Sequence, residues 1–280
     1  APFLDVHLMF PILAHLEESK LYPINDLLKA KLELLGPTNM PDYEIETHQQ
    51  AYGTTSIPEQ LEEKKTKVME KLDALRSKAE TLLNLIENDQ DKVNQLRENE
   101  NFNMGYLKAN HGVTDGSLEA LCNYAKEYFN TGNYEMSLYY LVHYVLLDDP
   151  VSSDAAFSAM WGKLACEILL CDWEQSWVDM KYIADAIDTE NVSPLLTLER
   201  RAWLLHWGIF IFFNHKEGRE YIVDFLFEKE KYMNALQIYC PWLLRYLAAA
   251  VVTNKRRRGS DMLRKVVRIT QQEGYPYQDP

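Results

Sequence analysis

Seven histidines, four cysteines and 42 carboxylates are the residues of this 280-residue chain that could do catalytic or metal chemistry, and their spacing decides whether they do. Zinc on a helix needs two histidines four residues apart with a carboxylate between them, as in HExxH, so that both rings reach one ion. No such pair occurs, and no HxH. His7, His143, His206 and His215 stand singly in apolar runs, where a histidine hydrogen-bonded into the core is the simpler reading. The cysteines at 122, 166, 171 and 240 include no CxxC, and Cys166 and Cys171 are five apart, a poor spacing for zinc. They read as buried reduced thiols, which fits the cytoplasm or the nucleus. A serine nucleophile would need a GxSxG elbow, and a phosphate cradle a GxxxxGK loop; neither is present. Acidic pairs such as Asp148-Asp149 and Asp172 with Glu174 fall at expected helix ends, where capping accounts for them. The sequence therefore offers no catalytic, cofactor-binding or metal-binding set.

Three patterns point to binding instead. Lys255, Arg256, Arg257 and Arg258 form the one dense basic cluster. It reads either as a solvated turn beside the carbonyl end of a helix, or as a surface for RNA phosphate or an acidic partner. Leu61, Val68, Leu75 and Leu82 recur every seven residues along a charged stretch. That spacing fits a seam for a partner helix or a long helix lying on its own chain, and Lys64, Lys65 and Lys71 interrupt a strict seam. Six tryptophans, at 161, 173, 177, 203, 207 and 242, fall on apolar helical stripes, where packing between layers is expected.

The elements that position these residues are helices. Eleven glycines and eleven prolines among abundant Leu, Ala, Glu and Lys, with no period-two strands or Asn-Gly hairpins, predict an all-α chain. The clearest unit is Ser117 to Pro150. Leu118, Leu121, Cys122, Ala125, Tyr128 and Phe129 stripe one helix and Tyr134, Ser137, Leu138, Leu141 and Val145 the next, with Gly132 and Asn133 fitted to stop the first and cap the second. This partly matches the tetratricopeptide hairpin, with Leu141 for the usual Phe, Tyr144 where a small residue is typical, and Pro150 one residue late. Similar units are expected over 155–187, over 198–227 with a turn at Asn214–Gly218, and from a helix over 235–252 to one over 261–272. A hairpin cannot bury its apolar face alone, so a right-handed stack of degenerate tetratricopeptide-like hairpins is expected.

The rest divides by composition. Residues 1–53 form an N-terminal helical block, with Pro11 expected to kink or restart a helix, a helix over 25–35 stopped by Gly36-Pro37, and another from Pro41 to Tyr52. Residues 54–87 hold the long helix, 88–115 a polar linker, and 116–198 the repeats. Residues 199–280 hold further helices. The net charge of −13 is uneven: Lys255–Pro280 carries seven Lys or Arg against three Asp or Glu, +4, which leaves −17 on the remainder. So acidic a body disfavours general nucleic-acid coating. The most apolar run, Ala202–Phe213, is too short to span a bilayer. The absence of an initial Met and the ending Tyr277–Pro280 suggest a fragment.

Several stretches together resemble the E-subunit family of eukaryotic translation initiation factor 3. They are HLMFPILAHL at 7–16, KLELLGPTNMPDYEIETHQQAYG at 31–53, YAKEYFNTGNYEMSLYYL at 124–141, MWGKLACEILLCDWEQSWVDM at 160–180, RRAWLLHWGIFIFFNHKEGREYIVDFL at 200–226, MNALQIYCPWLLRYLAAAVVTNK at 233–255, and the terminal GYPYQDP. Each alone is a packing motif; the specificity lies in their collinear order. The resemblance implies a non-catalytic scaffold subunit that needs no cofactor. Its partners would be the other subunits of that factor, the small ribosomal subunit, the scaffold protein of the cap-binding complex and, indirectly, mRNA. It also implies that 199–280 is the helical part of a PCI module that stops before the winged helix. A PCI-type subunit of the proteasome lid or the signalosome, or a stand-alone repeat adaptor, shares the architecture with other partners.

Overall fold

The computed structural model describes residues 5–148, 153–189, 192–253 and 259–273. Among them it holds fifteen α-helices, one short 3-10 turn and no strand. The chain divides into two compact units, Ala1–Leu170 and Cys171–Pro280.

In the first unit, α1 (Val6–Ser19), α2 (Ile24–Leu35) and α3 (Pro41–Tyr52) form the N-terminal block. Asp5 caps α1 by accepting the His7 amide. The helix does not restart at Pro11, and α1 runs through it. A proline costs the helix one amide donor, and buried His7, Leu8, Phe10 and Leu13 on both sides of it hold α1 in one piece. Pro41 opens α3, and Gly53 closes it with a left-handed φ of 62°. The long helix α4 (Glu59–Asn88) has thirty residues, about 45 Å at 1.5 Å per residue.

The stretch 88–115 is not a linker. It folds into α5 (Gln90–Glu98) and α6 (Met104–His111), and it buries Val93, Leu96, Phe102, Leu107 and Val113 in the main core. Its polar composition has two sources: solvated outer faces, and capping. Asn103 accepts the Tyr106 amide at the start of α6, and Gly112 ends it at φ 65°.

The hairpin α7 (Asp115–Asn130) and α8 (Tyr134–Leu147) follows as expected. Thr114 and Ser117 form a reciprocal capping box at the start of α7. Gly132 turns at φ 82°, and Asn133 caps α8 by accepting the Met136 amide. Ser137 is fully buried, and α9 (Asp154–Leu169) packs across it: Cys166 Sγ donates to Ser137 Oγ at 3.4 Å. Gly162 allows that approach, since a Cβ there would stand 3.2 Å from Leu141 Cδ1. Tyr144 is buried despite its size, its hydroxyl donating to Asp148. Pro150 lies outside the described residues.

The second unit contains α10 (Trp173–Thr189), α11 (Pro194–Asn214), α12 (Gly218–Glu228), α13 (Glu230–Tyr239), a 3-10 turn (Pro241–Leu243), α14 (Leu244–Thr253) and α15 (Gly259–Glu273). Helix α11 is central and packs on α10, α12 and α13, while α14 packs on α12 and α15. The α11–α12 turn requires Gly218, because a Cβ would collide with the Phe212 backbone. The single helix expected over 235–252 is broken at Cys240-Pro241. Proline pushes the residue before it out of the helical region, Cys240 lies at φ −142°, and the chain bends by 116°. Among the described residues no single helix is long and apolar enough to cross a membrane.

Candidate interaction surfaces

The residues with catalytic potential are engaged in packing. His7 is buried with Nδ1 2.8 Å from the Tyr134 hydroxyl, and its ring lies 4.6 Å from Phe129. Burial pushes its pKa down, against the opposing pull of Asp5. His143 donates from Nδ1 to the Tyr139 carbonyl at 2.8 Å, and burial lowers its pKa too. His206 donates from Nδ1 to the Ala202 carbonyl at 2.9 Å and accepts Trp242 Nε1–H on Nε2 at 3.2 Å. Those two bonds fix one neutral tautomer, and burial again lowers the pKa. His215 accepts the Glu217 amide on Nδ1, faces Glu174 at 3.2 Å through Nε2, and stacks on Trp177 at 4.4 Å. Among the described residues Ser19 approaches His15, its hydroxyl 3.5 Å from Nε2. The Ser19 hydroxyl instead donates to the His15 carbonyl at 2.7 Å, so the imidazole does not take its proton.

Burial pushes the thiols of Cys166 and Cys240 up to about 12, which keeps them inert. Cys171 departs from the buried-thiol expectation: it is exposed, in a left-handed turn at φ 60°. Asp172 caps α10 by accepting the Gln175 amide. Asp148 instead ends α8 and accepts from Tyr144 and Ser153. Among the described residues no three His, Cys, Asp or Glu groups converge as metal ligands.

Of the four heptad positions on α4, Leu61 is partly exposed and the other three face the core. Val68 and Leu82 are buried, and Leu75 packs on the core that α4 shares with α7 and α8. Three of the four positions are thus engaged by packing within this chain, as a long helix lying on its own chain would have them. The lysines that interrupt the seam supply the attachments. Lys64 Nζ bonds Glu44 and the terminal carbonyls of α2 at Leu35 and Gly36. Lys65 reaches Asp42 at 2.7 Å, and Lys71 reaches Glu127 at 2.6 Å.

Glu127 is buried on α7, and its other partner is Asn39, whose amide donates to Oε1 at 2.9 Å. The neighbouring Met40 side chain seats directly over Gly132, where a Cβ would push its terminal methyl aside. Asn39 and Met40 thus dock the N-terminal block onto the α7–α8 turn, while Lys71 ties α4 to the same carboxylate. Asn39 and Glu127 are 88 residues apart, and nothing in local spacing marks the pair.

Exposed apolar groups are the remaining candidates. In the first unit Leu21, Tyr22 and Ile24 protrude at the α1–α2 turn. In the second, the outer side of α11 is aromatic. Trp203 is 49% exposed, Trp207, Phe210 and Phe213 are partly exposed, and the Trp242 and Tyr246 rings lie beside His206 and Phe213. Of the six tryptophans only Trp177 is fully buried, so the expectation that they pack between layers holds for one and fails for Trp203. Helix periodicity shows that a face is apolar and not what covers it. Lys255, Arg256, Arg257 and Arg258 lie outside the described residues, as does the terminal GYPYQDP.

Comparison with known proteins places this architecture. Residues 1–128 match the family described as eIF3 subunit 6 N terminal domain. The chain is 41% identical over 281 residues to the E subunit of eukaryotic translation initiation factor 3 from Arabidopsis thaliana, covering 100% of this chain and 62% of the plant protein. It is 36% identical to the Drosophila melanogaster protein of the same name and 33% identical to that of Culex quinquefasciatus, in each case over 278 residues, 99% of this chain and 63% of the relative. The chain thus spans about three-fifths of the length of these curated relatives. Along its whole length, then, this helical chain is a homologue of proteins named as the E subunit of eukaryotic translation initiation factor 3.

Proposed function

We propose that the chain acts as a non-catalytic scaffold within translation initiation factor 3, holding other subunits and helping to recruit the small ribosomal subunit and mRNA in the cytoplasm. The observation that carries this reading is the end-to-end similarity to proteins named as the E subunit of that factor. The engagement of His7, His143, His206 and His215 in helix packing supports the non-catalytic part. In this reading residues 199–280 are the helical part of a PCI module, and the aromatic face of α11 is where a sister subunit packs. The scaffold protein of the cap-binding complex is a further partner. Lys255–Arg258 contact RNA phosphate or an acidic partner surface.

Affinity purification of the tagged chain followed by mass spectrometry tests the assignment. Other subunits of initiation factor 3 should co-purify. Recovery of proteasome-lid or signalosome subunits without them would overturn it. Replacing Arg256–Arg258 with alanine should leave folding intact, weaken ribosome or RNA association, and reduce its dependence on salt. Unchanged association at low salt would leave the basic cluster without that role.

A further inference from the structure

The outer side of α11 meets a later part of the chain through one directional contact. After α13 the chain bends by 116° at Cys240-Pro241, and the next residue, Trp242, lays its indole beside His206 with ring centroids 5.5 Å apart. Trp242 Nε1–H donates to His206 Nε2 at 3.2 Å, and His206 Nδ1–H donates to the Ala202 carbonyl at 2.9 Å. Neither partner can exchange its role. An indole nitrogen only donates and a carbonyl only accepts, so the ring is neutral with its proton on Nδ1. The other core histidines carry no such conflict. His7 Nδ1 faces the Tyr134 hydroxyl, which can donate or accept. His143 keeps its bond to the Tyr139 carbonyl in either state, and a charged His215 gains Glu174 at 3.2 Å.

We infer that the His206–Trp242 bond is a pH-sensitive latch on the outer face of α11. A second proton on the ring lands on Nε2 and sets one N–H against another. The bond breaks, and the indole swings away from α11 into solvent. The release is local, because Cys240, Leu243, Leu244 and Leu247 are buried and keep the bend and the start of α14 packed. Burial also opposes a charged ring, lowering its pKa from the usual 6.5 against the opposite pull of the Ala202 bond. The latch is therefore closed at neutral pH and opens as pH falls below 6.5. The surrounding charges do not reverse that direction. Arg200, one turn before Trp203, and Arg245, one turn after Trp242, disfavour another cation. Glu199, the only carboxylate of α11, lies two turns and about 10 Å along the helix from His206. Arg201 of α11 and Lys231 of α13 are bound to Asp188 of α10, and Arg219 of α12 lies over the Phe213 ring. If a sister subunit packs on this face, as proposed above, acid changes the surface it meets; the latch itself does not rest on that reading.

Acrylamide quenching of tryptophan emission tests the latch on the full 280-residue chain, without any partner, from about pH 7.5 to about pH 5. Quenching should rise and emission shift to longer wavelength with a midpoint below pH 6.5, while far-UV circular dichroism stays constant. W242F removes the responding indole and should abolish the rise. H206Q cannot titrate and should leave quenching flat across the range. If H206Q fails to fold, the wild-type chain and W242F decide. Flat quenching in the wild-type chain, or a rise that survives W242F or H206Q, would overturn the proposal. So would a loss of helical signal with the same midpoint, because the change would then be unfolding and not a latch.

Discussion

Helices α7–α9 and helices α11–α14 are built from similar aromatic-rich amphipathic sequence, yet they differ in how much of it they cover. In α7–α9 the polar groups are matched within the unit. Tyr140 is fully buried and donates to Glu87, which also pairs with Arg76; Tyr139 donates to the Ile86 carbonyl; Glu127 holds Asn39 and Lys71. In α11–α14 aromatic groups face outward, from Trp203 on α11 to Tyr246 on α14. A surface completed by its own chain is a core. A surface left incomplete is where the proposed scaffold would meet a partner.

The contrast is most severely broken at Gly218, which sets the α11–α12 turn. Gly218→Ala forces a Cβ into the Phe212 backbone, which cannot swing aside. The expected loss is about 3 kcal/mol or more, read as a fall in the urea midpoint. In the first unit, Glu127→Ala removes the acceptor shared by Asn39 and Lys71. It should cost about 2 kcal/mol, and protease cleavage between α3 and α4 should rise as the N-terminal block loosens. If E127A is neutral, the first unit is not held by its long-range polar bonds.

Acid separates the two regions less sharply. His7 and His143 in the first unit and His206 in the second all have pKa values lowered by burial. A lowered value means that folding prefers the neutral ring. The stabilisation is therefore fully present above the unfolded value of about 6.5 and is lost as pH falls through the depressed values. Urea midpoints should fall between pH 7.5 and 5.5, and His143→Gln should flatten the slope. A midpoint that rises on acidification would contradict the neutral assignment. The smallest stability effect belongs to the outward face. Trp203→Ser should change the unfolding free energy by less than about 0.5 kcal/mol while reducing recovery of partner subunits.

Much of this fold was legible because helix punctuation is local chemistry. Gly36-Pro37, Pro41, Gly53 and Gly132-Asn133 mark stops and starts that the structure places within a residue or two. The hairpin stripe from Leu118 to Val145 is likewise a property of spacing. The failures share a different cause. Between Asn88 and Asp115 a few apolar residues sit among capping asparagines, and only contact with α4 and α7 makes helices of them. Lys64 and Lys71 looked like defects in a seam, because their partners lie 20 and 56 residues away in sequence. The outward tryptophan could not be told from an inward one, since both sit on apolar stripes. The aromatic face of α11 was therefore invisible until the fold showed which stripes were already covered.

Hydrogen–deuterium exchange of the chain, alone and within purified initiation factor 3, tests the contrast most directly. Assembly is predicted to slow exchange at least tenfold in peptides covering 203–213, and to leave α7–α9 nearly unchanged, because that core is complete without partners. Slowing confined to α7–α9, with α11 unaffected, would contradict it.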